Sequence, residues 1–195
     1  MHFSVLLKSM AGITLALTLA VPAQADDEFT APLTALANGE IKAFASDPAL
    51  VAAIVAQNAV TSSYDQAKID ALDAQWKAEV GAASKPLIDA TLGNAASQYL
   101  KGVQDAAAGK YTEIFAMDAK GLNVAQSTLT SDYWQGDEDK FTKSFGAGAD
   151  AVNLGDVEQD ESTQVFQSQV SVPISDPATG AVIGAITVGV DVSAL

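Results

Sequence analysis

The hydrophobic positions of this chain change their period partway along it. Over residues 28–45 they recur at helical spacing, at Phe29, Leu33, Leu36, Ile41 and Phe44. Asp47-Pro48 then reads as an N-cap followed by proline in the first helical position, opening a second helix over 49–59. Residues 62–65 form a loop in which Ser63 and Gln66 fit a capping box for a helix reaching Val80. Its apolar side carries Ile69, Leu72 and Trp76, and Gly81 stops it. Ser84-Lys85-Pro86 starts a further helix through Leu87, Ile88 and Leu92, and Gly93-Asn94 kinks or restarts it before Tyr99, Leu100 and Val103.

From Tyr111 onward the pattern is that of strands. Residues 112–118 are rich in aromatic and β-branched side chains, and 122–127 can pair back across a turn at Asp118-Ala119-Lys120-Gly121. The Asp side chain can cap its own backbone there, and Gly121 can take the positive φ that closes a hairpin. A second hairpin joins 164–174 to 181–192 through Ser175-Asp176-Pro177-Ala178-Thr179-Gly180. Between the hairpins lie Asp132-Tyr133-Trp134, a short helix over about 137–145 ended by Gly146-Ala147-Gly148, a brief strand over 154–158, and an acidic turn at 160–163. Along 164–174 one parity (Phe166, Val170, Val172, Ile174) is apolar and belongs against the helices, while the other (Gln167, Gln169, Ser171) is polar. Both parities of 181–192 are largely apolar, so that strand is central. The expected class is α+β, a helical layer over 28–108 on a five-stranded antiparallel sheet over 111–192.

Composition narrows the chemistry. The only histidine is His2, and the chain has no arginine and no cysteine. This excludes Ser-His-Asp and Cys-His catalysis, His/Cys zinc sites and arginine clamps, and the expectation is a non-enzyme without cofactor or metal. Ten lysines oppose 24 acids, which argues against nucleic acid as a partner. Lys8, an apolar run over 11–21 and Ala23-Gln24-Ala25 have the grammar of a secretory signal peptide cleaved after Ala25. The run is short of the roughly 20 residues a spanning helix needs. Residues 26–195 are therefore expected as one exported domain, most simply in a periplasm.

Several strings in this order, EIFAMDAKGLNVAQS, SDYWQGDE, the acidic DES turn and QVSVPISDPATGAVIGAITVGVDVSAL, resemble the periplasmic Cache (PDC, PAS-like) sensor domains, and most nearly the stand-alone single-Cache type. The resemblance implies a long N-terminal helix packed on one face of a five-stranded PAS-like sheet. It implies a small molecule over the other face, beneath the mid-domain loop and short helix. It also implies a membrane-bound signalling partner, since no output module follows, and pairing of two copies through the N-terminal helices. Family members that bind amino acids grip the carboxylate with an arginine-plus-aromatic motif; here Tyr133 and Trp134 occupy the comparable loop without an arginine, and Lys120, Lys140 or Lys143 could substitute as a point charge.

On this reading Tyr133 and Trp134 are an aromatic pocket wall or part of the core, and Asp132 contacts the ligand or caps the loop. Phe115 and Met117, sharing a parity with Glu113, are ligand contacts or core. Gln167, Gln169 and Ser171 present polar groups to a ligand or to water, and Asp191 is a cation partner or an exposed strand end. The alternative function is a ligand-free interaction module of the same fold.

Overall fold

The change of period near Tyr111 divides a helical layer from an antiparallel sheet. The computed structural model describes residues 25–160 and 164–195. Residues 1–24, all but the last residue of the expected signal peptide, and the Glu161-Ser162-Thr163 part of the acidic turn lie outside the described residues.

The layer contains α1 (Ala25–Leu36), α2 (Lys42–Ala45), α3 (Pro48–Thr61), α4 (Gln66–Glu79), α5 (Pro86–Gly93) and α6 (Ala95–Ala106). A π-helical turn, Ala37–Ile41, joins α1 to α2. Leu33, Ala37, Ile41 and Ala45 are all buried, a strict spacing of four. In an α-helix that spacing drifts by about 40° per step, and the wider π turn brings the stripe back onto the sheet. The chain then turns by 75° into α3, where Asp47 Oδ1 accepts the Ala49 N–H at 2.8 Å. Among the described residues no single helix is long and apolar enough to cross a membrane.

The expected capping box at Ser63 and Gln66 does not form. Asp65, two positions later, caps α4 instead, its Oδ1 accepting the Lys68 N–H at 2.9 Å, while the Ser63 hydroxyl donates to the Val60 carbonyl at 3.3 Å. At the far end of α4, Glu79 Oε2 accepts the N–H groups of Leu87 (2.9 Å) and Ile88 (3.0 Å). Burial pushes the Glu79 carboxyl up, but hydrogen bonds from Gln75, Ile88 and Leu87 outweigh it and hold the group below its ordinary range. This acid at the start of α5 fixes the α4–α5 turn. Asn94 restarts the chain as α6, with Oδ1 accepting the Ser97 N–H at 2.8 Å.

The strands are β1 (Tyr111–Asp118), β2 (Asn123–Gln126), β3 (Asn153–Leu154), β4 (Glu158–Gln159), β5 (Phe166–Ser175) and β6 (Val182–Asp191). They form one sheet in the order β2-β1-β6-β5-β3, with β4 also pairing β5. The expected single strand over 154–158 is two short pieces on one edge, so five strand positions are filled by six segments. As expected, β6 is central. Even-numbered residues of β5, β6 and, beyond the bulge between Tyr111 and Glu113, of β1 face the helices, and Tyr111 before the bulge packs in the same core. Ile114, Val170, Val172, Ile186, Val188 and Val190 have no exposed surface and share one core with Ile41, Leu50, Ile54 and Leu100. Each contributes about 1.5–3 kcal/mol by burial. Phe166 departs from the expectation: it is 56 % exposed, because it starts β5 at the end where only Gln159 of β4 pairs with it.

Asp118, at the end of β1, has no exposed surface. Its Oδ1 accepts the N–H groups of Lys120 (2.8 Å) and Leu122 (3.0 Å), which makes the turn. Its Oδ2 accepts from Thr61 Oγ1 (2.7 Å) and Gln57 Nε2 (3.0 Å), which docks α3 on the turn. Asn58 adds a bridge, donating to the Ile183 carbonyl (2.7 Å) and accepting the Ala119 N–H (2.8 Å). Asp118→Ala is expected to cost about 3 kcal/mol or more, since each buried donor left unmatched costs about 1–3 kcal/mol. Asp118→Asn, which keeps one acceptor oxygen, is expected to cost less. Urea denaturation measures both, and equal losses would show that the four hydrogen bonds are not what holds the turn.

Candidate functional site

The sheet face turned away from the helices carries the odd-numbered residues, and it is covered unevenly. A short helix, α7 (Asp139–Thr142), and a 3₁₀ turn, Phe145–Ala147, replace the single helix expected over 137–145. Their Phe141 and Phe145 rings stack at 5.0 Å and pack with Phe115, Met117 and Ala185. Beside them the Ser171 and Thr187 hydroxyls hydrogen-bond at 2.9 Å with no exposed surface. This half of the face is closed.

The other half is open. Glu113, Gly189 and Gln169 stand side by side across β1, β6 and β5. With glycine in the middle, Gln169 Nε2 reaches across to donate to Glu113 Oε1 at 2.8 Å. A Cβ at position 189 would fall 2.9 Å from Glu113 Cγ and 2.8 Å from Gln167 Oε1, so the glycine keeps the floor low. Above it lies a cavity of about 350 Å³. Its floor is Glu113, Phe115, Gln167 and Gln169; Leu129, Thr130, Ser131 and Gln135 form another wall, with Lys140 and Asp160 at the sides.

That wall is a strap clamped from two directions. On one side the Asn123 N–H donates to the Tyr133 carbonyl (2.9 Å), the Gln135 N–H to the Gly121 carbonyl (2.8 Å), and Trp134 Nε1 to the Lys120 carbonyl (2.8 Å). Gly121, at φ +80°, lets the turn approach the strap: a Cβ there would fall 2.5 Å from Gly136 Cα. On the other side Asp73 Oδ1 accepts the Tyr133 and Trp134 N–H groups. Trp76 stacks on Tyr133 at 5.2 Å and donates to the Thr130 carbonyl at 2.9 Å. Lys77 bridges Asp73 (2.7 Å) and Asp132 (2.6 Å). Burial raises Asp132, but Lys77 and Ser131 outweigh it, and the carboxyl lies below its ordinary range.

The predicted site residues therefore separate into groups. Phe115, Gln167 and Gln169 come together in the cavity. Met117 and Ser171 share its sheet face but are sealed in the closed half. Asp132, Tyr133 and Trp134 do not line the cavity, because stacking and hydrogen bonding turn them toward α4 and the β1–β2 turn to hold the strap. Tyr133 borders a different, open groove of about 530 Å³ between the helices, lined also by Ala49, Ala53, Val60, Leu72 and Leu87. Asp191 accepts the Ser193 N–H at 2.9 Å and caps the strand exit. Glu113, Thr130, Gln135 and Asp160 were not singled out from the sequence. The parity of Glu113 with Phe115, and a glycine amid the apolar run of β6, were the available signals.

The cavity is electrostatically lopsided. Lys140 pairs with Glu138 at 2.9 Å and sits 5.5 Å from the Phe115 ring centroid. Gln167 Nε2 donates to Asp160 Oδ2 at 3.2 Å. Burial pushes the Glu113 carboxyl above its ordinary value of 4.5; the Gln169 N–H and Lys140 pull it down, while Asp160 and Glu138 push it further up. Behind the strap, Thr130 Oγ1 lies 2.9 Å from Gln126 Oε1 and 3.0 Å from Asn123 Nδ2, and the buried Gln126 Nε2 has no partner among the described residues. The described residues contain no group of three or more potential metal ligands.

No protein-family model and no curated protein matches the chain. Solved structures that match include the sensor domain of the V. cholerae histidine kinase DctB, with 21 % identity, 75 % of this chain and 57 % of that one covered, and a TM-score of 0.38. Another is the ligand-binding domain of the Campylobacter jejuni chemoreceptor Tlp3 in complex with L-norvaline (12 %, 85 % and 62 %, TM-score 0.40). A third is the ligand-binding domain of the Pseudomonas aeruginosa PAO1 amino acid chemoreceptor PctC in complex with GABA (13 %, 85 % and 61 %, TM-score 0.39). The chain spans less than two thirds of the length of each.

A raised carboxyl means that the folded state keeps its Glu113 proton at pH values where the unfolded chain has lost it, so stability falls as pH rises above about 4.5. Glu113→Gln removes that loss. The melting temperature of the variant relative to the parent is expected to be unchanged near pH 4 and to climb as pH rises toward neutrality. A relative melting temperature that instead drops with rising pH would contradict the assignment.

Proposed function

We propose that this domain is an exported small-molecule sensor that holds its ligand in the cavity between the open half of the sheet and the strap. The observation that carries this reading is the cavity of about 350 Å³ whose floor is set by Glu113 of β1 and Gln167 and Gln169 of β5, which meet across Gly189 of β6. The Phe115 ring supplies apolar contact, and Gln135, Thr130 and Gln169 supply donors and acceptors, the mixture typical of small-molecule sites. The absence of arginine removes the bidentate grip that a ligand carboxylate favours. A neutral or cationic ligand suits this site better than an anionic one.

The leader in the sequence supports a periplasmic location, and the Cache resemblance supports transfer of the signal by contact with a membrane-bound protein. The reading assigns no catalytic residue. The ligand contacts expected from the sequence change accordingly: Tyr133 and Trp134 support the wall from behind.

A thermal-shift screen of the exported protein against amines, organic acids, amino acids, nucleobases and sugars tests the proposal, because a ligand that binds only the folded state raises the melting temperature with concentration. The shift is expected to disappear in Phe115→Ala and in Gly189→Ala, where the new methyl group would fall against Thr112 Oγ1, 2.8 Å from Gln167 Oε1 and 2.9 Å from Glu113 Cγ, and so displaces those side chains. It is expected to persist in Trp134→Ala. A shift that survives both cavity variants would move the site elsewhere, and a flat screen would favour the interaction module.

A further inference from the structure

The cavity has a neighbour. Lys140, Gln167 and Gln169 line both it and an adjoining chamber of about 360 Å³, whose other lining residues include Glu138, Asp156 and Glu158. These three shared side chains form a partition, and all three are long and flexible. Carboxylates thus stand on both sides of it: Glu113 and Asp160 in the inner chamber, Glu138, Asp156 and Glu158 in the outer one. Lys140 is the one cationic residue among those lining the two chambers, and Glu138 already pairs with it.

Resting on the sensor reading above, we propose that the ligand is an aliphatic amine without a carboxylate, its ammonium group bound by Glu113. Two features of the inner chamber fit an ammonium group and disfavour an acid. Glu113 Oε1 is occupied by the Gln169 amide, and no described donor reaches Oε2, which leaves one oxygen for the ligand. A ligand carboxylate would face Glu113 across the same space, and Lys140, the lysine on the lining, is already paired with Glu138 and stands over the Phe115 ring. The acids of the outer chamber add a preference for a second ammonium group, so a diamine binds more tightly than a monoamine of the same length.

Four compounds with a four-carbon chain, differing only at their ends, separate the possibilities: butylamine, 1,4-diaminobutane, 4-aminobutyrate and succinate. Titration calorimetry on the exported protein at neutral pH and low salt is expected to rank the diamine first and butylamine second. The zwitterion should be at least about tenfold weaker than the diamine, and succinate should not bind. Glu113→Gln is expected to weaken the diamine by at least about tenfold, while Glu158→Gln removes only part of its advantage over butylamine. Tighter binding of 4-aminobutyrate or succinate than of the diamine overturns the amine assignment, as does a diamine affinity unchanged in Glu113→Gln. If either acid binds and loses its affinity in Phe115→Ala, the cavity remains the sensor site and only the ligand class falls. If none of the four binds, the amine assignment falls, and the wider thermal-shift screen decides the cavity independently.

Discussion

The fold turns on one buried carboxylate. Asp118 closes the β1–β2 turn with one oxygen and receives α3 with the other, so a local element and a long-range contact share a single group. A buried acid is tolerated when every lone pair is matched and costly when one is lost. The turn it shapes presents the Lys120 and Gly121 carbonyls to Trp134 and Gln135. Helix α3, the first hairpin and the strap are therefore parts of one hydrogen-bonded unit, and the cavity wall is set by a residue that never touches the cavity.

The two faces of the sheet carry out different tasks. The even-numbered face is packed dry against α1, α2, α3 and α6 and supplies stability. The odd-numbered face is half sealed by the Phe141–Phe145 stack and half open above Gly189. The floor lies low there because Gly189 lets the Thr112, Glu113 and Gln167 side chains close over it, and the wall stands because the strap is clamped by α4 and the turn. The floor depends on the register of β1, β6 and β5, and the wall on Asp73, Trp76 and Lys77 together with the β1–β2 turn. Side chains lining the cavity can vary on such a scaffold without disturbing the core.

Much of the architecture was legible in the chain. Helical period up to Val103 and strand period after Tyr111 placed both layers, both hairpins and the central position of β6, because period reflects which side of an element is buried. Local rules succeeded where the contact was local, as at Asp47, Asn94, Asp118 and Gly121. They failed where two local options competed, as at Ser63 and Asp65, or where an edge left pairing incomplete, as at Leu154 and Phe166. At the site, parity placed Phe115, Gln167 and Gln169 on one face, and it also placed Met117 and Ser171 there without showing that α7 closes over them.

The sequence by itself determined the chemical limits of this protein: no cysteine or arginine anywhere, no histidine after His2, an excess of acids, and an alternation that commits one sheet face to the core. Tertiary structure alone decided which polar side chains meet. Asp132, Tyr133 and Trp134 are adjacent to the wall residues in sequence, yet they turn outward because Asp73, Trp76 and Lys77, some 60 positions earlier, offer better-matched partners. Glu113 and Gln169, 56 positions apart, meet only because register sets them on either side of a glycine. Pairing across such separations depends on how the strands align, and no local pattern in the chain encodes that alignment.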